Sequence, residues 1–245
     1  TDPSKIEVAY QTSSGNMVTI GDAGLTGGKL GGLLKFRNET LEPAQNALGR
    51  VAIGLASTFN AQHQAGFDLN GDSGGAFFSL SSPVVGANDN NAGSAAISAN
   101  ISNANALTTS DYRLQFDGTN YTVTRLSDNT TFPAGALPQT VDGVSISLTS
   151  GTPAAGDNFL IRPTVNGASG LSVAITDPAK IAAAGVTGAV GDNSNALLLA
   201  GLQTSKTMGN SSVTYQDAYS QLVSQIGNKT RELEVTSSAA DNLLT

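Results

Sequence analysis

Cysteine and tryptophan are both missing from this 245-residue chain, and histidine occurs once. Without cysteine there is no disulfide, thiolate metal site or cysteine nucleophile, so the fold must hold by packing alone. A lone His63 cannot build a zinc site. Aromatic residues make up 5% and charged residues 13% of the sequence, which leaves few large anchors and many small polar surfaces of Ala, Gly, Ser, Thr and Asn. The 19 acidic residues outnumber the 12 basic ones, for a formal net charge of −7, and no Lys/Arg cluster stands out. Nucleic acid, held mainly through neutralised phosphates, is therefore not an expected partner. No run of 18 apolar residues exists, and the opening TDPSKIEV has neither a basic n-region nor an apolar core, so no membrane span or Sec leader is expected. The missing initiator Met reads as a cut or trimmed chain.

What is present begins with a helix. In Leu41 to Gln64, apolar residues fall at Leu41, Ala44, Leu48, Val51, Leu55 and Phe59, spacings of three and four that share one helical face. The same period returns in Thr214 to Leu244, at Tyr219, Leu222, Ile226, Leu233 and Ala240, and these two seams are expected to pack on each other. Pro43 lacks an amide hydrogen and disfavours helical geometry at Glu42, so either a kink sits there or the main helix begins there. Gly66 suits a left-handed C-cap. Asp192 suits the N-cap of a short helix, and Thr214 with Asp217 forms a capping-box-like start for the last one.

Upstream, Ile6, Val8 and Tyr10 alternate, Ser13–Asn16 supplies a turn, and Val18 and Ile20 alternate again, which predicts a β-hairpin. Six glycines between Gly21 and Gly32 form a loop feeding the helix. From Phe67 to about Val190 the period becomes two. Strands are expected at Ala76–Leu80, Ala95–Ile101, Tyr112–Phe116, Tyr121–Leu126, Val144–Leu148, Phe159–Pro163 and Leu171–Ile175, with Asp117-Gly118-Thr119-Asn120 as a hairpin turn. Gly86 to Gly93, GANDNNAG, is polar enough to be a mobile loop. The fold class is thus α+β: a discontinuous helical-bundle domain (1–66 and 191–245) of paired helices plus an N-terminal hairpin, with an inserted all-β domain (67–190), sandwich or barrel-like.

Three patterns invite a chemical reading. Gly71-Asp72-Ser73-Gly74-Gly75 matches the GDSGG around a serine-protease nucleophile, but such a serine needs an oriented imidazole and a preceding β-barrel. His63 lies at a helix end ten residues upstream, and 72 residues are too few for that barrel, so a glycine-rich joint between helix and β domain is the better account. Asp68, Asn70 and Asp72 stand two apart as in a calcium loop, yet Ser73 occupies the place of the required Gly and Ser79 that of the bidentate Glu. A turn cluster explains them, with calcium still open to test. Arg37, Glu39, Arg50, Arg231, Glu232 and Glu234 read as solvated helix faces.

Two blocks carry a family resemblance. Gly31 to Arg50 (GGLLKFRNETLEPAQNALGR), continuing through Ala56 to His63 (ASTFNAQH), and the later GDNSNAL at 191–197, with Leu202-Gln203, Tyr215 to Tyr219 and Val223 to Thr230, resemble the hook-associated protein 1 family of the flagellar hook-filament junction. The resemblance implies an extracellular axial protein of the bacterial flagellum, exported unfolded by the type III apparatus and seated as a ring between hook and filament. Its implied partners are copies of itself, the hook protein, the next hook-associated protein and an export chaperone. Family members carry helical termini that this chain lacks, so it should be a core fragment, monomeric in solution. The residues taken alone agree: long helices and small side chains suit a structural protein that fits neighbours, and no constellation is poised for enzymatic chemistry or a cofactor. The alternatives are a secreted binding module or adhesin whose β domain recognises a ligand, and a hydrolase built on Ser73.

Overall fold

A computed structural model describes residues 8–13, 15, 17–20, 25, 27–189 and 191–243. Ile6, Asn16, Gly21 and Gly24 of the expected hairpin and loop, and Leu244 of the last helix, lie outside these. In chain order the elements are β1 (Val8–Gln11), β2 (Met17–Ile20), α1 (Gly28–Phe36), a π-helical turn (Arg37–Leu41), α2 (Glu42–Gln64), β3 (Phe78–Ser79), β4 (Val84–Ala87) and β5 (Ala96–Ile101). Then follow β6 (Tyr112–Phe116), β7 (Tyr121–Arg125), β8 (Gln139–Val141), β9 (Val144–Ser150), β10 (Asn158–Arg162), β11 (Ser172–Val173), α3 (Ser194–Gly201) and α4 (Tyr215–Leu243). They form two compact units: Thr1–Asn46 with Ser81–Gly167, and Ala47–Leu80 with Ala168–Thr245.

In the first unit β1 and β2 pair antiparallel, Val8 opposite Ile20 and Tyr10 opposite Val18, as the alternation predicts. The π turn answers the question posed by Pro43. The Glu42 amide reaches back five residues to the Arg37 carbonyl, which widens the helix just where the proline ring crowds the preceding turn. The rest of the unit is two antiparallel sheets, β4-β10-β6-β7 and β5-β9-β8. Tyr112 and Leu114 are buried while Arg113 and Gln115 face solvent, and Val144 and Ile146 are buried in β9, the two-residue period of a half-buried strand. Leu107, Val123, Val141, Phe159 and Ile161 complete this core, each contributing about 1.5–3 kcal/mol by removal from water.

Asp117 closes the β6–β7 turn by accepting from the amides of Thr119 (2.7 Å) and Asn120 (2.8 Å). The tighter Asp142-Gly143 turn joins β8 to β9 with both residues at positive φ, 48° and 79°, the geometry a two-residue hairpin needs. Gly86–Gly93 departs from expectation, because it is fastened at both ends. Gly86 and Ala87 finish β4, and Asn91 exchanges hydrogen bonds with the Asn158 backbone (2.9 and 2.8 Å). The buried Asp157 carboxylate accepts from the amides of Ala92, Gly93 and Ala154. Polar composition predicted mobility, but the polar groups find internal partners.

The second unit differs more from the sequence reading. Residues 67–80 and 168–190 belong to it, with most of α2 and with α3 and α4, while residues 1–46, with α1, belong to the unit of the β sheets, so neither part follows the 1–66 and 191–245 bounds that the sequence suggests. The expected strands Ala76–Leu80 and Leu171–Ile175 shrink to the two-residue pair β3–β11. The cause is a set of bonds to α2: Asn60 Oδ1 accepts from the amides of Phe77 and Phe78, both at 2.8 Å, and Asn60 Nδ2 donates to the Phe78 carbonyl. Phe67 and Ala184 also exchange backbone bonds at 2.8 and 3.1 Å. Gly66 is required by crowding rather than by a left-handed φ, since a Cβ there would lie 2.0 Å from Asn195 Nδ2 and 2.8 Å from the Ala182 carbonyl.

Asn193, not Asp192, is the N-cap of α3. Asp192 instead accepts from the amides of Ser194, Gly185 and Val186, tying the preceding loop to the helix start. At α4 the capping box forms as read: Thr214 Oγ1 accepts from the Asp217 amide (3.1 Å) and donates to its carboxylate (2.8 Å).

Candidate functional site

The helical seam is the surface the sequence singles out, and the structure leaves half of its residues exposed. Leu41, Leu48, Tyr219, Ile226 and Leu233 are exposed; Ala44, Val51, Leu55 and Phe59 are half-buried; only Leu222 is buried. Phe59 rests against Phe77 and Phe78 at centroid distances of 4.9 and 5.3 Å. The expected pairing of α2 with α4 along their lengths is not what the structure shows. α4 engages α2 at its start, where the Tyr215 hydroxyl meets Thr58 Oγ1 and where Ala218 and Leu222 are buried. From Val223 to Asn242 its side chains are exposed, Lys229 excepted. The reason is that α2 buries another face, Gly49, Ile53, Ala56 and His63, about a third of a turn from the apolar seam at 3.6 residues per turn.

His63 holds the second unit together. Its ring is fully buried, Nδ1 donates to the Gly75 carbonyl (2.8 Å), and Nε2 accepts from the Ala182 amide (2.9 Å). The amide can only donate, so the proton sits on Nδ1. Both nitrogens are engaged by backbone, and the exposed Ser73 has no imidazole to act on it. Gly74 belongs to the same joint, since a Cβ there would stand 2.2 Å from the His63 carbonyl. Asp68 makes a local turn, its Oδ1 accepting from the amides of Asn70 (2.8 Å) and Asp72 (3.0 Å). Gln62 reaches Asn195 Oδ1 at 2.7 Å, and Asn195 donates to the Ala182 carbonyl.

The first unit contains two ionic networks that no local motif announces. Arg162, nearly buried, pairs with Asp111 at 3.2 Å, and Asn46 at the start of α2 donates to Asp111 Oδ1 at 3.0 Å. Burial pushes the Asp111 carboxyl above its ordinary range, against the pull of Arg162. In the second network Asp142 accepts twice from Arg125 and once from the buried Tyr112 hydroxyl, each at 2.8 Å. The Asp142 bonds raise the Arg125 pKa, and burial, followed by the hydrogen bond to Asp142 and then its charge, raises that of Tyr112. In the second unit, Arg50, expected on a solvated face, is half-buried, which lowers its pKa by desolvation.

Among the described residues no three His, Asp or Glu side chains converge as a metal site would require, and no helix is long and apolar enough to cross a membrane. What the fold presents is an α+β chain with apolar residues exposed on its helix faces. Residues 1–78 match the model of the flagellar hook-associated protein FlgK helical domain, and residues 86–163 that of the flagellar hook-associated protein 1 D2-like domain. Flagellar hook-associated protein 1 of Escherichia coli K12 is 41% identical over 249 residues, covering 100% of this chain and 45% of the relative. The Salmonella typhimurium protein of that name is 38% identical, covering 99% and 46%. The solved flagellar hook junction protein FlgK from Burkholderia pseudomallei superposes with a TM-score of 0.91 at 27% identity, over 99% of this chain and 67% of that one. The chain belongs to the flagellar hook-associated protein 1 family, and it spans about half the length of these curated relatives.

Proposed function

We propose that this chain is the structural core of an adaptor that joins hook to filament in the extracellular bacterial flagellum, working through subunit packing and not through catalysis. The observation that carries this is the match in fold to a solved hook junction protein over 99% of this chain, and the exposed seam supplies the physical means. In this reading the helices form a discontinuous inner domain and the β sheets an inserted outer one. Leu41, Ala44, Leu48, Val51, Leu55, Phe59, Tyr219, Leu222, Ile226 and Leu233 form the faces on which assembly depends. Copies of the protein form a ring, as a heterologous contact repeated about an axis does where its rotation closes, and the hook protein and the next hook-associated protein bound it on either side. The export chaperone acts on segments outside residues 1–245.

The test is complementation of a strain lacking the gene. The full-length protein carrying Leu48→Asp with Ile226→Asp should be made and exported yet fail to restore swimming in soft agar. Both positions are exposed, so the fold should survive, with thermal unfolding of the 245-residue chain unchanged. Swimming equal to wild type would remove the seam from the assembly.

A further inference from the structure

Asparagine is followed by glycine twice in the sequence, at Asn70-Gly71 and Asn166-Gly167. With no Cβ, glycine leaves its own amide nitrogen open to the carboxamide carbon of the preceding side chain. The structure separates the two pairs. Gly167 is buried, and its amide donates to the Thr164 carbonyl at 2.9 Å. Asn70 is exposed beside Leu69, which is 84% exposed, and Gly71, at φ +84°, has open surroundings in which an added Cβ would meet the Thr187 hydroxyl at an ordinary 3.4 Å. Asp68 closes this turn. Its carbonyl accepts from the Gly71 amide (3.1 Å), its Oδ1 accepts from the amides of Asn70 (2.8 Å) and Asp72 (3.0 Å), and its Oδ2 accepts from Asn70 Nδ2 (3.4 Å).

We infer that Asn70-Gly71 is a site of self-modification, where the chain deamidates without an enzyme, and that the Asp68 turn sets the rate. The turn must open first, which is cheap at an exposed tip and costly where the glycine is buried. Hydroxide then takes the Gly71 amide proton and the nitrogen attacks Asn70 Cγ. The N–Cγ bond forms, the Cγ–Nδ2 bond breaks, and Nδ2 leaves as ammonia after water returns the proton. Water opens the resulting succinimide at either carbonyl, to aspartate or to isoaspartate, with no change of oxidation state. Both products set a new carboxylate near that of Asp68, a like-charge contact. Isoaspartate also lengthens the main chain just before Gly71, whose carbonyl accepts from Thr187 Oγ1 at 3.1 Å, and just after Leu69, whose amide donates to the Ala179 carbonyl at 3.0 Å. The modification is one-way, and it loosens the place where residues 68–72 are tied to residues 179–187. It does not depend on where the protein sits in the cell or the flagellum.

The test is incubation of the 245-residue chain at mildly alkaline pH over days to weeks. Peptide mass spectrometry follows the amide-to-acid mass shift, and isoaspartyl methyltransferase with labelled S-adenosylmethionine reports isoaspartate. Asn70 should convert at least about tenfold faster than Asn166, at a rate that rises in step with hydroxide, and methyl label should appear on the peptide that carries residue 70. Asp68→Ala, which removes the side-chain bonds of the turn, should speed conversion of Asn70 by roughly fivefold or more. Asp68→Asn keeps an acceptor oxygen for the two amides and should stay near the wild-type rate. Asn166 converting as fast as Asn70, or Asn70 left intact throughout, would overturn the site; this comparison needs no variant, so it holds whether or not Asp68→Ala folds. Equal rates in folded Asp68→Ala and wild type would overturn the role of the turn.

Discussion

Replacing His63 with Leu removes two hydrogen bonds at once and strands the Gly75 carbonyl and the Ala182 amide in a buried site. With about 1–3 kcal/mol lost for each unpaired group, the variant should lose roughly 2–5 kcal/mol of stability, read as a lower urea midpoint. Ser73→Ala, at an exposed hydroxyl only ten residues away, should stay within about 0.5 kcal/mol. The GDSGG run thus matters through its backbone, with the one imidazole held by the Gly75 carbonyl and the Ala182 amide. A second residue-scale expectation concerns acid. The Ala154 amide, joined by those of Gly93 and Ala92, holds the Asp157 carboxyl below its ordinary range. A carboxylate with a depressed native pKa stabilises the fold above its unfolded value near 3.9 and loses that contribution as pH falls through the native value. Asp157→Asn should therefore lower Tm at pH 7 and narrow the Tm difference between pH 7 and pH 2.5; an unchanged difference would deny the carboxylate its role in anchoring the Gly86–Gly93 segment.

At the scale of elements, the α4 capping box gives the simplest measurement. Thr214→Ala should cost about 1 kcal/mol and should speed hydrogen exchange in the first turn of α4, leaving the β unit untouched. The box was legible because its residues are three apart, and the strands from Tyr112 to Arg125 were legible because alternation and the Asp117 turn agree. β4 and β8 were not. β4 is four residues ending in Gly86-Ala87, and β8 is three residues behind Pro138, so neither is long enough to show a period, although Asp142-Gly143 marks the hairpin that β8 begins. The seam shows the limit of periodicity most clearly. Sequence identifies which face of α2 is apolar, but the residues that are buried are Gly49, Ile53 and Ala56, on a different face. Gln62 meeting Asn195 across 133 positions has no local signature at all.

For the whole molecule, a seam left exposed among the described residues predicts weak self-association. The 245-residue chain should be monomeric by light scattering at micromolar concentration, and a stable ring would mean that these residues alone suffice for assembly. The domain boundaries missed in the sequence have the same origin as the missed core: residues 67–80 and 168–190 have strand-like composition, and long-range bonds to α2 place them with the helices. The central claim, a structural role at the junction, is tested most directly by immunogold electron microscopy, using antibody against this chain on intact flagella and on a strain lacking the gene. Gold confined to the boundary of hook and filament, and absent from the deletion strain, is the predicted result; gold along the whole filament or over the cell envelope would contradict it.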